Sequence, residues 1–521
     1  MRFNLISLFE DDPRSHFQVL TLEASLRAAG FKSSLVFMVR KNRAKYLKQA
    51  VFVPSPGEIR LLIEKLKFLQ TDAVGISVPS PLLRAACDVT RAIRNDLNIP
   101  VIWGGIHPTL FPEESCNVAD AVCIGEGEDA IVRMADRLSK GASFDGIPGI
   151  WYRQNGAVKK NSLNSELLDI NKLPLMDFDG ADCHFICADG EFGVKHIGSW
   201  YSSIFSRGCL YHCSYCSENI VRQRCNARLK YRTRSPENIM AELRSVVRRR
   251  PVSVMVFEDA LFPFDQAWVE EFCSAYKKEI GIPFATRLHP GLLNRRYLDL
   301  LSDAGLSWIN ISIESGSERV RREVFLRSMT NEQQMKAHRF LEGTKGIKVT
   351  YNLIVDNPYE TEADKDEAFS ALMGLNGICH LNPFSLLFFP GTDITTRALG
   401  EGKISRYHLD WALRPGAFYP DFFYHRSRED KHWYAIVLLI SLYYEFHCLP
   451  KRVIPFFYRT KLIRRYPWLL YLVSFVLFKA GRKILTFKKR AEARSMENKM
   501  RARGSAAMKP QKEAGRSGND R

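Results

Sequence analysis

The chain has 521 residues, of which 46% are hydrophobic, and a formal net charge of +18. This length predicts about three or four globular domains. The segment from Lys479 to Arg521 holds 14 Lys and Arg against 4 Asp and Glu, which is +10 of the +18. The remainder is only mildly basic, so a nucleic-acid partner is not expected.

Twelve cysteines are scattered along the chain, and its first residues run directly into a strand pattern at Phe3 to Leu8. This start differs from a secretory signal, and scattered cysteines in a long chain argue against a disulfide framework. We therefore predict a cytoplasmic location, where cysteines more often serve metals than disulfides.

Strands and helices alternate in the amino-terminal part. After the first strand, the hydrophobic pattern predicts helix 17–29, strand 34–39, helix 61–69, strand 73–78, helix 82–96 and strand 101–103. This alternation is typical of βαβ units on a parallel sheet, whose ligands bind beyond the carboxyl ends of the strands.

Three glycine-bearing loops lie at those strand ends: Gly75 to Ser80, Gly104 to Thr109 and Gly125 to Glu128. Glycine lets a backbone approach a bulky ligand closely, so these loops are predicted to hold a site. A hairpin over Asp145 to Lys160 and the stretch Leu168 to Pro174 then mark a boundary near residues 140 to 195.

Cys209, Cys213 and Cys216 place three thiols within eight residues. Four cysteines would suggest a closed metal site, whereas three suggest a site with an open position. The alternatives are a zinc site completed by His212 and three inert buried thiols.

A second strand and helix repeat surrounds these cysteines. Its six predicted strands are 202–206, 252–257, 284–287, 308–313, 347–354 and 383–388. In barrels built from such repeats, the chemistry sits at the carboxyl ends of the strands.

The CxxxCxxC spacing, with Arg207-Gly208 before the first cysteine and Tyr215 before the last, resembles the signature of radical S-adenosylmethionine (SAM) enzymes. The ordered glycine loops ahead of it resemble the cobalamin-binding domain of the cobalamin-dependent members. The resemblance implies an α/β fold: a Rossmann-like cobalamin-binding domain, then a partial (β/α)6 barrel. It also implies a 4Fe-4S cluster, SAM and cobalamin as cofactors.

The resemblance assigns roles to residues. Cys209, Cys213 and Cys216 would ligate the cluster and leave one iron open to SAM. Cobalamin contacts would come from Ser77, Gly104, Gly105, Gly125 and Glu126. SAM contacts would come from Tyr215 near the adenine, Glu258 and Asp259 at the amino end, Glu314 near the ribose and Arg327 at the carboxylate. The alternatives are that Glu258 and Asp259 cap the next helix and that Arg327 is a solvated helix residue. No further catalytic side chain is predicted.

Three features depart from the family's patterns or stand outside them. The loop Glu10 to His16 lacks the Asp-x-His-x-x-Gly motif that supplies a histidine to cobalt, and His16 and His107 are interpreted as surface or loop histidines. The segment Asp356 to Thr361 lacks both glycines of the family's Gly-x-Pro-Gly-Glu-Thr. Cys87, Cys116 and Cys123 are interpreted as ordinary buried thiols.

The chemistry implied by the resemblance begins with one-electron cleavage of SAM to methionine and a 5'-deoxyadenosyl radical, which abstracts an unactivated hydrogen. Methyl transfer from methylcobalamin to the substrate radical is the leading hypothesis, with remethylation of cobalamin by a second SAM. A radical cyclase or rearrangement enzyme with the same cofactors is the first alternative. A tRNA methylthiotransferase and a non-catalytic cobalamin or redox sensor are the others.

The segment Pro390-Gly391-Thr392 resembles the family's barrel end. The sequence that follows it does not indicate the substrate. The aromatic segment Phe418 to Tyr424 precedes two apolar runs, Trp433 to Tyr444 and Pro467 to Ala480, which are short for a membrane span. They predict a helical cap over the barrel mouth or, alternatively, peripheral contact with the cytoplasmic membrane and a lipid-like substrate. The expected partners are a small-molecule or lipid-like substrate and a reductant such as a flavodoxin or ferredoxin.

The predicted organisation has five parts. They are a cobalamin-binding domain (1–140), a linker with a hairpin (141–195), a radical SAM partial barrel (196–395), a helical carboxy-terminal domain (396–485) and a disordered basic tail (486–521).

Overall fold

The computed structural model describes residues 1–9, 17–39, 54–163, 167–176, 181–187, 190–192, 200–225, 231–342, 344, 346–376, 379–413, 426–446 and 449–481. The loop Glu10 to His16, the aromatic segment Phe418 to Tyr424 and the tail beyond residue 485 lie outside these residues. The chain divides into two compact units, Met1–Tyr424 and His425–Arg521.

Seventeen strands are defined within the described residues. They are β1 Phe3–Phe9, β2 Leu35–Val39, β3 Ala73–Ser77, β4 Val101–Gly104, β5 Ala121–Cys123, β6 Ile150–Gln154, β7 Ala157–Lys160, β8 Cys183–Cys187, β9 Gly190–Phe192, β10 Trp200–Ser203, β11 Ser206–Arg207, β12 Arg232–Thr233, β13 Val254–Phe257, β14 Phe284–Leu288, β15 Leu306–Glu314, β16 Lys348–Val355 and β17 Cys379–Ser385.

The helices of the first unit alternate with these strands. They are α1 Phe17–Ala28, α2 Pro56–Phe68, α3 Leu83–Leu97, α4 Ile106–Leu110, α5 Pro112–Cys116, α6 Glu128–Ser139, α7 Ser217–Arg224, α8 Pro236–Arg249, α9 Gln266–Glu279, α10 Arg295–Ala304, α11 Asn331–Glu342, α12 Glu362–Met373, α13 Asp393–Gly400 and α14 Arg406–Ala412.

The first sheet has nine strands in the order β7-β6-β5-β4-β3-β1-β2-β8-β9, and the central strands from β5 to β8 are parallel. Along β1, Phe3 and Leu5 belong to one core cluster and Ile6 and Leu8 to another. Both faces of the strand are therefore buried, which explains its predominantly apolar sequence. The predicted Rossmann-like order is confirmed.

The segment predicted as a linker contributes strands to this sheet. The predicted hairpin forms as antiparallel β6 and β7 on one edge, and β8 pairs with β2 on the other. The sheet thus uses the chain as far as Phe192.

The second sheet has six parallel strands in chain order, β10-β13-β14-β15-β16-β17. A helix follows each strand, as predicted for the partial barrel. The last strand runs over Cys379–Ser385 rather than 383–388. Polar His380 and Asn382 alternate there with buried residues and hide its beginning, and Pro383 is tolerated because β17 is an edge strand.

The second unit is helical. Its helices are α15 Arg428–Phe446, α16 Val453–Arg459, α17 Lys461–Arg465 and a further helix over 468–481. The apolar run of α15 is buried from Trp433 to Leu442. No helix among the described residues combines the length and the hydropathy needed to cross a bilayer.

Candidate functional site

The three predicted cluster cysteines lie in the loop between β11 and α7. Cys213 is 8% exposed, and Cys209 and Cys216 are partly buried. Neighbouring side chains fix the loop: the Ser214 hydroxyl donates to the Val324 carbonyl at 2.6 Å, and Asn219 Nδ2 donates to the Cys213 carbonyl at 2.8 Å. The loop is therefore anchored by its own polar residues.

Arg222 on α7 also holds this loop. Its guanidinium donates to the Cys209 carbonyl, and it pairs with the exposed His212. His212 is thus exposed and engaged with Arg222, which does not favour a zinc site completed by this histidine. The sequence interpretation missed Arg222, whose only signal was its place in the helix that follows the last cysteine.

Asp259, which follows β13, supports the chain that enters the cysteine loop. One carboxylate oxygen accepts from the backbone N–H groups of Phe205 and Ser206, at 2.8 and 2.6 Å, and from the Ser206 hydroxyl at 2.7 Å. The other oxygen, Oδ2, is buried and has no hydrogen-bond partner among the described residues. Burial raises the pKa of Asp259 to about 6. The free oxygen suits an ammonium donor.

Cys213 and Tyr215 of the cysteine loop lie close to Glu314 and Arg327, which come about 100 residues later in the sequence. Arg327 Nη1 lies 3.4 Å from Glu314 Oε1, and Nη2 donates to the Ser312 carbonyl at 2.7 Å. Burial raises the pKa of Glu314, while Arg327 and Tyr215 oppose this. Arg327 is only 5% exposed, so it is a buried ion-pair partner and not a solvated helix residue.

The guanidinium of Arg327 keeps one donor unused. Its Nε is buried and has no hydrogen-bond partner within the described part of the chain. A buried guanidinium N–H without an acceptor is costly unless a ligand supplies one, and a carboxylate matches it best. The donor therefore fits the carboxylate end of SAM.

The sequence interpretation missed His289, which follows β14 directly. Its ring stacks on Tyr211 of the cysteine loop, with centroids 3.8 Å apart. Nδ1 accepts from the Gly291 N–H at 3.1 Å, and the buried Nε2 has no partner among the residues described. Burial and nearby Arg327 lower the pKa of His289 to about 2, so the imidazole is neutral. Its position after a barrel strand was the available signal.

Glu258 behaves differently from Asp259. Its carboxylate forms an ion pair with Arg287 on the neighbouring strand, and the N-cap of the next helix, α9, is Asp265. Neither Glu258 nor Asp259 caps that helix. Contact of Glu258 with SAM stays a prediction.

The loop after β15 packs so closely against α12 that it requires a glycine. A Cβ at Gly316 would lie 2.4 Å from Ala368 Cα of α12, so only glycine fits. Ser317 donates to Asp364 Oδ1 at 2.7 Å, and the fully buried Arg321 donates to the Ser315 carbonyl at 2.7 Å. These contacts fix the backbone next to Glu314.

In the segment Asp356 to Thr361, which lacks both glycines of the family motif, an aspartate adopts a backbone conformation that usually favours glycine. Asp356 takes a left-handed φ of +61°, a conformation that Asp tolerates better than most residues. Its carboxylate accepts from the Ser385 hydroxyl at 2.6 Å. The turn after β16 is thus retained without its first glycine.

In the first sheet, the predicted glycine loops meet at one edge. Ser77 and Gly104 are register partners, and Gly105 has a left-handed φ of +98°. A Cβ at Gly105 would lie 3.3 Å from both Ser77 Oγ and the Val78 nitrogen. The Gly125 N–H donates to the Thr109 hydroxyl at 3.1 Å, which links the next loop. The glycine loops are thus packed closely together at this edge, and their contact with cobalamin stays a prediction.

Glu126 connects this edge to the cysteine loop. Its carboxylate accepts from Arg207 at 3.1 Å and from Arg232 at 2.5 Å, and Arg207 also contacts Glu128 at 2.5 Å. Against the opposing effect of burial, the two guanidinium groups lower the pKa of Glu126. We call these four residues the clasp. The Glu126 carboxylate is already engaged, so a cobalamin contact, which stays a prediction, would fall to its backbone.

The interpretation of His107 as a surface or loop histidine needs correction. It lies in α4 and is 1% exposed, because the loop after β4 folds back under the sheet edge. Its Nδ1 is 3.2 Å from Ser80 Oγ, and burial lowers its pKa to about 4. The predicted burial of Cys116 and Cys123 is confirmed, and Cys87 is half-buried.

Within the described ranges, no three His, Cys, Asp or Glu side chains are close enough to hold one metal ion. A 4Fe-4S cluster makes a different demand, because each cysteine binds a different iron and the sulfurs stand further apart. Cys209, Cys213 and Cys216 lie within electrostatic range of one another. Three neighbouring thiols suit such a cluster.

Comparisons with known proteins agree with this geometry. A family model for the radical SAM superfamily matches residues 203–372, and one for the B12 binding domain matches residues 17–135. A radical SAM domain implies a 4Fe-4S cluster and SAM, and a B12 binding domain implies cobalamin. The predicted cofactors and fold class are thereby confirmed.

Two curated relatives are similar over part of their length. An uncharacterised methyltransferase of Pyrococcus horikoshii is 26% identical over 305 residues, 57% of this chain and 63% of that protein. An anaerobic magnesium-protoporphyrin IX monomethyl ester cyclase of Rubrivivax gelatinosus is 24% identical over 323 residues, 59% of this chain and 55% of that protein. The match spans less than two thirds of either relative.

Among solved structures, the radical SAM methyltransferase TsrM of Kitasatospora setae, with cobalamin and a 4Fe-4S cluster bound, has a TM-score of 0.61. The match covers 76% of this chain and 78% of that one at 16% sequence identity. At this identity the likeness concerns the fold.

Proposed function

Because this chain belongs to the cobalamin-dependent radical SAM enzymes, we propose that it transfers a methyl group to an unactivated carbon of its substrate. The observation that carries the proposal is the group formed by Tyr215, Glu314 and Arg327 next to Cys213, together with the clasp that joins this group to the glycine loops. Methyl transfer of this kind requires both cofactors to act at one place.

When bound, the cofactors supply one-electron cleavage of SAM to a 5'-deoxyadenosyl radical and a cobalt-carried methyl group. The chain's own residues position and enclose them. Arg327 offers its unused Nε to the SAM carboxylate, and Asp259 offers Oδ2 to the SAM ammonium. Tyr211 and His289, stacked on each other, cover one side of the cysteine loop and exclude water.

The proposal is tested by anaerobic reconstitution of the full chain with iron, sulfide and cobalamin. We expect bound cobalamin, SAM cleavage to 5'-deoxyadenosine under strong reductant, and a methyl group from SAM in a product. The substrate is sought by comparing metabolites and lipids of cells with and without the gene. Absence of both cobalamin and methylated product would contradict the proposal, and cofactor binding without any SAM cleavage would favour a sensor.

A radical cyclase or rearrangement enzyme is the second candidate, and the similarity to the Rubrivivax cyclase supports it. SAM deuterated in its methyl group separates the two, because only methyl transfer places the label in the product. Protein that cleaves SAM but leaves its product unlabelled would favour the second candidate.

A tRNA methylthiotransferase would need a second cysteine cluster in the amino-terminal domain. Cys116 and Cys123 belong to two different core clusters of the first sheet. Two thiols in separate core clusters do not favour a second iron-sulfur site, so this alternative ranks below the first two.

The proposed partners are a small-molecule or lipid-like substrate and an electron donor such as a flavodoxin or ferredoxin. The proposed location is the cytoplasm, because the reduced thiols and the cluster both need a reducing compartment.

A further inference from the structure

The segment from Leu449 to Gly481 has an unusual composition for a protein surface. It contains seven cations and no Asp or Glu, together with many apolar and aromatic residues. The cations are Lys451, Arg452, Arg459, Lys461, Arg464, Arg465 and Lys479. The segment therefore has a local charge of +7 and a strongly apolar character.

The same segment concentrates the exposed apolar surface of the described chain. The described residues include fifteen large apolar side chains that are exposed, and nine of them lie between Phe456 and Leu477. Leu462 is 68% exposed and Trp468 is 62% exposed. Scattered exposed apolar residues are normal, whereas a contiguous patch marks an interaction site.

The helix over 468–481 shows how this surface is built. Tyr471, Ser474 and Phe478 recur at helical spacing on one side and are buried. Tyr471 accepts from Arg426 at 2.8 Å, and its ring contacts that of Tyr434 on α15. This side is therefore anchored in the core of the second unit.

The opposite side, which we call the outer face, is apolar where solvated helices are polar. Its exposed members, with Trp468 at one edge, are Trp468, Leu469, Leu472, Val473, Val476 and Leu477. The exposed Lys461 and Arg465 lie in α17, immediately before this helix.

We propose that the outer face and α17 form a docking surface for an anionic phospholipid bilayer, with the helix lying in the interface. An apolar face with an aromatic residue at its rim and flanking cations matches the chemistry of such a surface. This inference goes beyond the proposed methyl transfer and does not rest on it.

Two other arrangements fit the observations less well. The helix over 468–481 has 14 residues, about 21 Å at 1.5 Å per residue, which is short of the roughly 30 Å of a bilayer core. It therefore lies on a membrane and does not cross it. A second copy of the chain would bring two surfaces of charge +7 together without a counter-charge, which is unfavourable.

The test uses the full-length protein and two kinds of vesicle, one of phosphatidylcholine alone and one rich in phosphatidylglycerol. We expect co-sedimentation with the anionic vesicles, weakened by high salt. Brominated lipids should quench tryptophan fluorescence, and W468F should lose most of that quenching.

Two sets of variants sharpen the test. The double variant L469E and V473E should bind anionic vesicles at least about tenfold more weakly, whereas F68E, which alters an equally exposed apolar residue of the first unit, should bind like the wild type. The double variant K461E and R465E should lose about fivefold per removed cation, whereas R406E should not. Circular dichroism and cobalamin content report whether each variant folds.

Failure to sediment with either vesicle would overturn the proposal, and so would equal binding to neutral and anionic vesicles. A concentration-dependent dimer that L469E and V473E abolish would assign the outer face to a second copy, and would also overturn it. These measurements need no catalytic turnover. A negative result would therefore overturn membrane docking without bearing on the proposed methyl transfer.

Discussion

The two halves of the candidate site are built in different ways. Around the cysteine loop, charged side chains fix the backbone: the buried Asp259, the partly buried Arg222 and the buried pair of Glu314 and Arg327. Around the glycine loops, the backbone itself forms the surface, and Gly105 is limited by contacts with Ser77 and Val78. The first half should therefore be sensitive to lost charge, and the second to added volume.

The largest effect is expected for C213A. Loss of one of three cluster ligands should lower SAM cleavage to background, more than about 100-fold, because it affects the cluster directly. Iron content and the yield of 5'-deoxyadenosine measure this. C87A removes a half-buried thiol outside the site and should retain both. Normal cleavage by C213A would exclude Cys213 as a ligand.

The next effect is expected for R327Q, which keeps the cluster and removes the buried guanidinium. SAM binding should weaken by about 10- to 100-fold, since the SAM carboxylate loses the charged donor at Arg327 Nε. Equilibrium binding of SAM to the reconstituted protein measures it, with iron content unchanged. R322Q alters an exposed arginine of the same segment and serves as the control. Unchanged affinity in R327Q would assign Arg327 a purely structural role.

G105V tests the backbone half. The added side chain meets Ser77 Oγ and the Val78 nitrogen at 3.3 Å, so cobalamin affinity should fall by about tenfold or more while the cluster stays intact. The absorbance of bound cobalamin measures this. G141V has the same left-handed backbone requirement, with φ of +63°, but no neighbour within 4 Å. Equal cobalamin loss in both variants would trace the effect to general destabilisation.

E126Q weakens the clasp between the two halves. Neither cofactor is predicted to depend on the Glu126 charge, so iron and cobalamin content should stay near normal. Methylated product per SAM cleaved should fall by about two- to fivefold, because the glycine loops lose a charged contact with Arg207 and Arg232. E323Q, at an exposed glutamate, is the control. A proportional loss of cleavage and methylation would argue against coupling.

The last prediction concerns stability rather than activity, through pH and Asp259. Its folded-state pKa of about 6 lies above its ordinary value of 3.8, so its protonated form stabilises the fold below pH 4, and this contribution is lost as pH rises through 6. The difference corresponds to on the order of 3 kcal/mol. Denaturant unfolding at pH 4 to pH 7 measures this. The free energy of unfolding of the wild type should fall over this range by more than that of D259N.

SAM sharpens the same measurement. An ammonium at Oδ2 favours the carboxylate, so saturating SAM should reduce the pH slope of the wild type. A slope that SAM does not alter would leave Asp259 as a support of the cysteine loop alone.

Local patterns were enough to predict most elements, because hydrophobic periodicity survives folding. The hairpin and four of the six barrel strands formed where they were predicted, whereas β10 lies at Trp200–Ser203 rather than 202–206 and β17 begins before its predicted start. Helix α2 begins at Pro56, five residues before the predicted start, since the capping box of Ser55 and Glu58 was not recognised. Such signals were present in the sequence.

The sequence by itself determined which groups are available for chemistry: three thiols at cluster spacing, and glycine-bearing loops at the ends of parallel strands. Only the tertiary structure decided which polar groups share a site. Arg327 meets Glu314, His289 covers Tyr211, and Glu126 joins the two halves through contacts between residues far apart in sequence. The two apolar runs of the second unit likewise have similar compositions, yet one is buried in α15 and the other leaves an apolar face exposed. Burial depends on neighbours that folding brings together, and local periodicity does not specify them.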